Sequence, residues 1–212
     1  GSEMCIRDRP YAVRLQEADG PLALDALSEG WPAGAVLRPF ATRHRVPSVG
    51  YRLELPRAGR FDPARARALG VPVQQWKLLQ KGKRVAVEGR TVQPAQVLGA
   101  PRRGLSVVFS GDTTVCPGLL QAAQDADLLL CDATYALPEQ EAQARQWGHS
   151  TFGQSAALAA QAGAKRLWLT HYSPMITDPE EYAEQAQGIF PAAECGFDGK
   201  SITLQYEDCL LY

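Results

Sequence analysis

Short apolar runs alternate with helix-length stretches throughout the second half of the chain. The apolar runs predict buried strands, and the stretches between them have the composition and length of helices. The predicted strands cover 105–110, 127–131, 165–170 and 201–205, and the predicted helices cover 117–124, 138–147, 151–162 and 179–189. Ser150 is the predicted N-cap of the helix at 151–162. Alternating strands and helices are typical of an α/β layered domain.

The first half of the chain has a different pattern. Apolar runs at 11–16, 34–40 and 50–55 predict short strands, separated by Gly and Pro turn signals. The pattern then breaks, and a possible short helix at 62–69 is followed by scattered Gly and Pro residues. We therefore expect a protruding, irregular, flexible arm inserted into the domain at about 60–103.

The predicted arm is strongly basic. The chain of 212 residues has a net charge of -1, yet the stretch from Arg60 to Arg103 contains ten basic and two acidic residues, so that it carries +8 and the remainder carries -9. A basic block of this kind is typical of contact with a polyanion. Charge alone leaves a second interpretation open, a solvated surface arm with no partner.

The composition is that of an ordinary globular protein. Hydrophobic residues make up 45% and charged residues 21% of the chain, and no apolar stretch is long enough to span a membrane. The five cysteines have no paired spacing, so they predict reduced thiols in a cytoplasmic protein. The length suits one domain of moderate size.

Polar residues follow three of the predicted strands at their carboxyl ends. Asp112, Asp132 and His171 each come just after an apolar run, and ligands bind at that edge of an open α/β sheet. The other two histidines of the chain are His44 and His149. A histidine after a strand often has a purely structural role. Imidazole is also the commonest metal ligand and a proton shuttle near neutral pH, and three polar residues at one edge favour a metal-dependent catalytic site.

Four motifs carry a resemblance to a known family. They are Arg-His-Arg-Val-Pro-Ser-Val-Gly-Tyr-Arg at 43–52, Phe-Ser-Gly-Asp-Thr at 109–113, Gly-His-Ser-Thr at 148–151 and Leu-Thr-His-Tyr-Ser-Pro at 169–174. In this order and spacing they resemble ribonuclease Z, the transfer-RNA 3′-processing endonuclease of the metallo-β-lactamase superfamily. Leu-Gly-Val-Pro at 69–72 and Leu-Leu-Gln-Lys-Gly-Lys at 78–83 resemble the arm by which the bacterial enzyme grips transfer RNA. The resemblance extends from about 11 to 206.

The resemblance implies a fold, a cofactor and partners. The fold is α/β, the four-layer metallo-β-lactamase αββα sandwich, and the complete protein holds two zinc ions. The substrate is precursor tRNA, from which a zinc-dependent endoribonuclease removes the 3′ trailer. The resemblance further implies a homodimer in which the arm of one subunit serves the active site of the other.

The resemblance also assigns a role to each candidate residue. It makes His44 a ligand of the first zinc, His171 a ligand of the second and Asp112 the bridge between them. It makes His149 the acid that protonates the departing 3′ oxygen, and Asp132 the carboxylate that orients His149. The implied RNA-binding residues of the arm are Arg65, Arg67, Lys77, Lys81, Lys83 and Arg84.

The chain departs from the family pattern in three places. The motif His-x-His-x-Asp-His, which supplies three histidines and an aspartate to the metals, is absent, so we expect this fragment to bind zinc weakly and to cleave nothing. Cys131-Asp132-Ala133-Thr134 stands where the family has His-Glu-Ala-Thr, and aspartate is one methylene shorter than glutamate. Met175 stands where the family often has an arginine.

The absent motif predicts an N-terminally truncated domain. Both ends resemble translated sequencing-adapter DNA, so residues 1–9 and 209–212 are expected to be non-native and the partial domain to cover 10–208. The missing strands would form roughly half of the sandwich. One face of the remaining sheet is therefore expected to be exposed.

Two other functions stay open. A related phosphodiesterase acting on small substrates would use the same metal site, but it would not need a strongly basic arm, and its substrate binding would lack strong salt sensitivity. A non-catalytic RNA-binding protein of the same fold would account for the absent motif. It would not, however, need to retain His44, Asp112, His149 and His171.

Overall fold

The computed structural model describes residues 20–206. Within this range the strands are β1 (Leu22–Ala23), β2 (Val36–Ala41), β3 (Val49–Arg57), β4 (Val85–Val87), β5 (Arg90–Val92), β6 (Arg102–Phe109), β7 (Leu128–Asp132), β8 (Leu167–Thr170) and β9 (Ala193–Cys195). The α-helices are α1 (Leu24–Leu27), α2 (Pro63–Ala68), α3 (Val73–Gln80), α4 (Pro117–Ala123), α5 (Glu141–Trp147), α6 (Phe152–Ala162) and α7 (Glu184–Gln187). Short 3-10 helices lie at Pro94–Gln96, Pro138–Gln140 and Pro179–Tyr182. In this part of the chain, every helix is too short or too polar to cross a membrane.

Seven strands form one mixed sheet in the order β1-β2-β3-β6-β7-β8-β9. The neighbours from β1 to β6 pair antiparallel, whereas β6, β7, β8 and β9 run parallel to one another. The central strands β7 and β8 are almost continuously apolar, as expected of parallel strands buried on both faces. The carboxyl ends of β6, β7 and β8 therefore lie at one edge of the sheet, as the sequence pattern predicts.

One face of the sheet packs against helices. Val108, Leu129 and Leu169 project from β6, β7 and β8 into a buried core. Leu119 of α4 and Phe152 of α6 close this core from the helical side, and both are fully buried. Burial of each such side chain contributes about 1.5–3 kcal/mol, so this core firmly positions the strands that end at the common edge.

The opposite face of the sheet is only partly covered. The segment 202–204 runs past Leu53 and Val107 and encloses a cavity of about 360 Å³ with them. Tyr51 and Phe109, on the same face, are 36% and 42% exposed. The expected exposure of one sheet face is thus present in the described part of the chain.

The segment between β3 and β6 has regular structure, contrary to the irregular arm expected from the sequence. It consists of α2, α3 and a hairpin of β4 and β5. Leu79, Val85 and Val97 form a separate core with Trp76, whose indole N–H donates to the carbonyl oxygen of Val71 over 3.0 Å. The hydrophobic pattern did not predict the individual helices and strands of the arm, because each short element contributes only one or two apolar side chains to this core.

The arm joins the sheet through a narrow neck. The N–H of Gly99 donates to the carbonyl oxygen of Arg60 over 2.8 Å. A Cβ atom on Gly59 would lie 2.0 Å from the carbonyl oxygen of Gly99, so only glycine allows the outgoing and returning chains to cross this closely. Arg102 and Arg103 follow the neck as the first residues of β6, and they therefore belong to the sheet rather than to the arm.

Two elements at the C-terminal end differ from the sequence-based expectation. Residues 201–205 form no strand, because they lie over the partly covered sheet face without a strand partner among the described residues. The helix expected at 179–189 divides into a 3-10 turn and α7, since the N–H of Ala183 bonds to Glu180, three residues back. The strand expected at 11–16 and the expected non-native ends lie outside the described residues.

The N-cap of α6 is one residue later than predicted. The hydroxyl of Thr151 accepts from the N–H of Gln154, and the side chain of Gln154 accepts from the N–H of Thr151. This reciprocal pair is a capping box. Ser150 does not cap the helix, because its hydroxyl donates to the carbonyl oxygen of Thr113 over 2.9 Å.

Asp127 ties together the amino ends of three strands. Its carboxylate, which is 5% exposed, accepts from the N–H of Ser106 over 2.8 Å and pairs with Arg103 at 2.8 Å and Lys165 at 3.0 Å. Burial alone would raise the pKa of Asp127, but these hydrogen bonds outweigh it and hold the pKa below its ordinary value. We expect Asp127→Asn to lower the free energy of unfolding by about 2 kcal/mol, since both cations are partly exposed. Urea denaturation at neutral pH measures this loss.

The exposed Asp125 provides the matched control. Asp125→Asn should change the stability by less than about 0.5 kcal/mol. Because the folded-state pKa of Asp127 is lowered, its contribution is present above the ordinary value of 3.8 and is lost as the pH falls through the folded-state pKa. The difference in the free energy of unfolding between wild type and Asp127→Asn should therefore become smaller at acidic pH. If this difference were the same at neutral pH and at a pH well below the ordinary pKa of Asp127, the result would contradict this role.

Candidate active site

Three histidines and two aspartates converge at the carboxyl edge of β6, β7 and β8. Asp132 is the last residue of β7, His171 directly follows β8, and Asp112 lies in the turn after β6. His44 comes from the loop between β2 and β3, and His149 from the loop between α5 and α6. The ring of His149 lies between the other two, with centroids 5.0 Å from that of His44 and 5.1 Å from that of His171. The structure thus brings together all five residues that the sequence singled out.

A glycine turn delivers His149 to this edge. Gly148 ends α5 in the left-handed conformation (φ 82°), and the N–H of His149 returns to the carbonyl oxygen of Ala144 over 2.8 Å. A Cβ atom on Gly148 would lie 2.9 Å from the Cα of His44. Glycine at this position therefore allows both the left-handed turn and the close approach of the loops that carry His44 and His149.

The carboxylate of Asp132 is buried and fully occupied by hydrogen bonds. Its Oδ1 accepts from the N–H and hydroxyl of Thr134 over 3.0 and 2.8 Å, and from the N–H of Ser150 over 3.3 Å. Its Oδ2 accepts from the N–H of Thr113 over 3.0 Å and from Nδ1 of His149 over 2.7 Å. A carboxylate offers about four acceptor positions, so these contacts use them all. The shorter aspartate still reaches His149 and orients it.

His171 has an unusual backbone conformation. Its φ of 61° lies in the left-handed region, which costs a non-glycine residue about 1–3 kcal/mol. Its Nδ1 lies 2.9 Å from the hydroxyl oxygen of Thr134, and its Nε2 lies 3.3 Å from Oδ2 of Asp112. The side chains of His171 and Asp112 are 44% and 48% exposed, so this pair can reach a bound substrate.

The donor chemistry of the site suits a metal. Donor atoms of Asp132, His149 and His171 all lie within 4.8 Å of one another. Because Asp132 has committed its lone pairs to hydrogen bonds, the pair formed by His171 and Asp112 is the better ligand set, with His44 nearby. Imidazole nitrogen and carboxylate oxygen are both normal zinc donors. Metal binding by His44, Asp112 and His171 therefore stays our prediction, and the donor types fit it.

Sequence interpretation missed the hydroxyl residues that surround Asp132. The N–H of Asp132 donates to the hydroxyl oxygen of Ser110 over 2.9 Å, and the hydroxyl of Ser155 donates to its carbonyl oxygen over 2.6 Å. The spacing of Thr134, two residues after an aspartate, is typical of an Asx turn and could have indicated its contact. Ser110 and Ser155 gave no comparable signal, because they come from other elements.

Two of the residues that depart from the family pattern lie in contrasting environments. Cys131 is fully buried, and burial raises the pKa of its thiol to about 12. Its side chain packs in the apolar core of the domain with Leu129 and Leu169. Met175 is 87% exposed, so a flexible apolar side chain stands on the surface where the family often has a cation.

Comparison with known proteins supports the family resemblance. Residues 49–172 match the model of the beta-lactamase superfamily domain. Ribonuclease Z from Lachnoclostridium phytofermentans is 41% identical over 172 residues, which cover 81% of this chain and 57% of that protein. Ribonuclease Z from Methanosarcina acetivorans is 47% identical over 150 residues, which cover 70% of this chain and 49% of that protein. The chain thus spans about half the length of the curated relatives that it matches.

A solved structure supports the fold. The crystal structure of the metallo-beta-lactamase fold protein YhfI from Bacillus subtilis aligns with a TM-score of 0.50 at 16% sequence identity. The alignment covers 85% of this chain and 51% of that chain. The predicted similarity to ribonuclease Z and the predicted metallo-β-lactamase fold are both confirmed. The chain belongs to the beta-lactamase superfamily.

Proposed function

We propose that this chain is part of a zinc-dependent endoribonuclease that cleaves precursor tRNA at its 3′ end, and that the chain alone is inactive because it lacks the His-x-His-x-Asp-His ligands. The observation that carries the proposal is the hydrogen bond of 2.7 Å between Nδ1 of His149 and the buried carboxylate of Asp132, beside the His171–Asp112 pair. A phosphodiesterase needs a proton donor close to its metal ligands, and the ring centroids of His149 and His171 lie 5.1 Å apart at this edge. Sequence similarity to ribonuclease Z supports the same reaction.

The geometry supports the proposed role of His149 as the general acid. Because Asp132 holds Nδ1, the ring directs Nε2 away from the carboxylate, where it can donate a proton to the leaving 3′ oxygen. The hydrogen bonds that hold the carboxylate of Asp132 in place also keep the orientation of the His149 ring fixed. Two zinc ions, held by His44, Asp112 and His171 with the His-x-His-x-Asp-His ligands, would supply an activated water and neutralise the charge of the phosphate.

The arm is the proposed tRNA-binding element. All six predicted residues are exposed on it: Arg65, Arg67, Lys77, Lys81, Lys83 and Arg84. The separate core of the arm makes it a stable platform for these cations. Phosphate contacts of this kind recognise the shape of a folded RNA rather than its sequence. We further propose that the protein acts as a cytoplasmic homodimer, in which each arm serves the active site of the partner.

We expect neutralisation of two arm lysines to weaken tRNA binding. In Lys81→Gln/Lys83→Gln, the slope of log affinity against log salt should fall by up to about 2, since each lost phosphate contact removes about 0.7–0.9 from it. Fluorescence anisotropy with labelled tRNA at several salt concentrations measures the slope. Arg166→Gln, an exposed change outside the arm, should leave the slope unaltered. Equal slopes in the double variant and wild type would rule out these lysines as phosphate contacts.

The reaction itself is tested with a joined protein, in which this chain follows the His-x-His-x-Asp-His segment of a ribonuclease Z. With zinc and precursor tRNA, the joined protein should release the 3′ trailer and leave a 3′ hydroxyl on the tRNA. Binding of tRNA without cleavage would favour the non-catalytic RNA-binding function. Hydrolysis of a small phosphodiester without tRNA binding would favour the small-substrate function.

A further inference from the structure

Thr134 is placed to control the side chain of His171. The residue is 8% exposed, and its hydroxyl oxygen lies between two polar groups. Oδ1 of Asp132 is 2.8 Å away on one side, and Nδ1 of His171 is 2.9 Å away on the other. One hydroxyl therefore connects the buried carboxylate to an imidazole that faces the surface.

The number of available hydrogens determines which group donates and which accepts in these two hydrogen bonds. An ionised carboxylate only accepts hydrogen bonds, and a threonine hydroxyl has one hydrogen to donate. Since Asp132 accepts from each of its other contacts, the hydroxyl hydrogen of Thr134 goes to Asp132. The hydroxyl oxygen then accepts, and Nδ1 of His171 must carry the hydrogen that it donates. In the neutral ring, Nε2 is then left with a free lone pair.

This arrangement leaves two acceptors facing each other. Nε2 of His171 and Oδ2 of Asp112 are 3.3 Å apart, and neither can donate to the other when the hydrogen is on Nδ1. Such a pair suits a shared cation, which is the donor set that the proposed function assigns to zinc. Without Thr134, the hydrogen would move to Nε2, where it could bond directly to Asp112 and block that lone pair.

The backbone around the pair is fixed from both sides. The N–H of Ala133 donates to the carbonyl oxygen of Thr170 over 2.8 Å, and the N–H of Ser173 donates to that of Thr134 over 3.0 Å. These bonds join the loop after β7 to the loop after β8, and they hold His171 at its left-handed φ. These backbone hydrogen bonds therefore fix the distance between the hydroxyl of Thr134 and the imidazole ring of His171.

We infer that Thr134 is a positioning residue that holds His171 in its Nδ1–H tautomer and so keeps Nε2 available to a metal ion. Metal-binding histidines commonly require such a partner on their second nitrogen. The benefit of this role rests on the proposed function, in which His171 binds zinc. The tautomer of His171 itself is a property of the metal-free chain. The two can therefore be tested separately.

Nitrogen-15 NMR of the histidine-labelled, metal-free chain measures the tautomer directly. At about pH 9, well above the ordinary histidine pKa of about 6.5, the protonated and free ring nitrogens have widely different chemical shifts. Wild type and Thr134→Ser should show His171 with hydrogen on Nδ1. Thr134→Val should shift it towards Nε2. Thr170→Val is the matched control, because it removes a hydroxyl bond to Cys131 next to His171 without touching the ring.

Two results would overturn the inference. One is a wild-type His171 with its hydrogen on Nε2, which can be read even if Thr134→Val does not fold. The other is a folded Thr134→Val that keeps the hydrogen on Nδ1. Zinc titration adds a second readout, in which Thr134→Val should weaken the affinity about 10–100-fold while Thr134→Ser and Thr170→Val stay close to wild type. Neither measurement uses RNA, so a failure of tRNA cleavage would leave the result for Thr134 standing.

Discussion

His149→Ala should lower the cleavage of precursor tRNA by the joined protein about 10²–10⁴-fold, the usual contribution of a general acid. The loss should appear in kcat, with little change in KM, because the ring acts on the leaving oxygen and contributes little to tRNA binding. His149→Gln should be about as slow, since its amide can contact Asp132 but cannot deliver a proton. Single-turnover cleavage with labelled precursor tRNA measures the effect.

A substrate with sulfur in place of the leaving 3′ oxygen separates proton donation from other roles of His149. A thiolate leaves without protonation, so both variants should cleave this substrate at nearly the wild-type rate. Loss of activity on both substrates would assign His149 to metal binding or to folding. Wild-type activity of His149→Ala on the ordinary substrate would remove it from the mechanism.

Asp132→Ala should destabilise the chain by about 4 kcal/mol. The carboxylate is 1% exposed, and its removal leaves buried donors of Thr113, Thr134 and Ser150 without an acceptor. Each unsatisfied buried donor costs about 1–3 kcal/mol, and the effects are not fully additive. Urea denaturation of the 212-residue chain measures the change in the free energy of unfolding.

Asp112→Ala is the contrasting variant. Its side chain is 48% exposed, so stability should change by less than about 0.5 kcal/mol, whereas zinc affinity should fall. A stability loss as large as that of Asp132→Ala would contradict the division of the two aspartates into a structural and a metal-binding carboxylate. The stability of Asp132→Asn, which keeps the shape of the side chain, should lie between that of wild type and that of Asp132→Ala.

The sheet and the edge that carries the site could be predicted because their signals are local. The strands that precede Asp112 and His171 and that contain Asp132 have mainly apolar ends, and parallel strands must place their carboxyl ends together. The hydroxyl network around Asp132 could not be predicted in the same way. Its members come from separate elements, and they meet only after the sheet has formed.

The cap of α6 shows how a tertiary contact decides a local choice. Ser150 and Thr151 are adjacent, and both residue types make good N-caps. Local preference alone does not separate them. Thr151 takes the role because Ser150 is already bonded to Thr113. The helices and the hairpin of the arm were not predicted for a related reason, since the apolar residues of the arm show no periodicity within any one element.

The close approach of Gly59 and Gly99 separates the fold of the arm from the pairing of the two strands that flank it. β3 and β6 pair with each other directly, Leu53 opposite Val107, so their alignment does not depend on what lies beyond the neck. A change in the length, charge or shape of the insertion would therefore leave the register of the strand that leads to Asp112 unaltered. The sheet and its carboxyl edge can thus be formed independently of the segment that is inserted between β3 and β6.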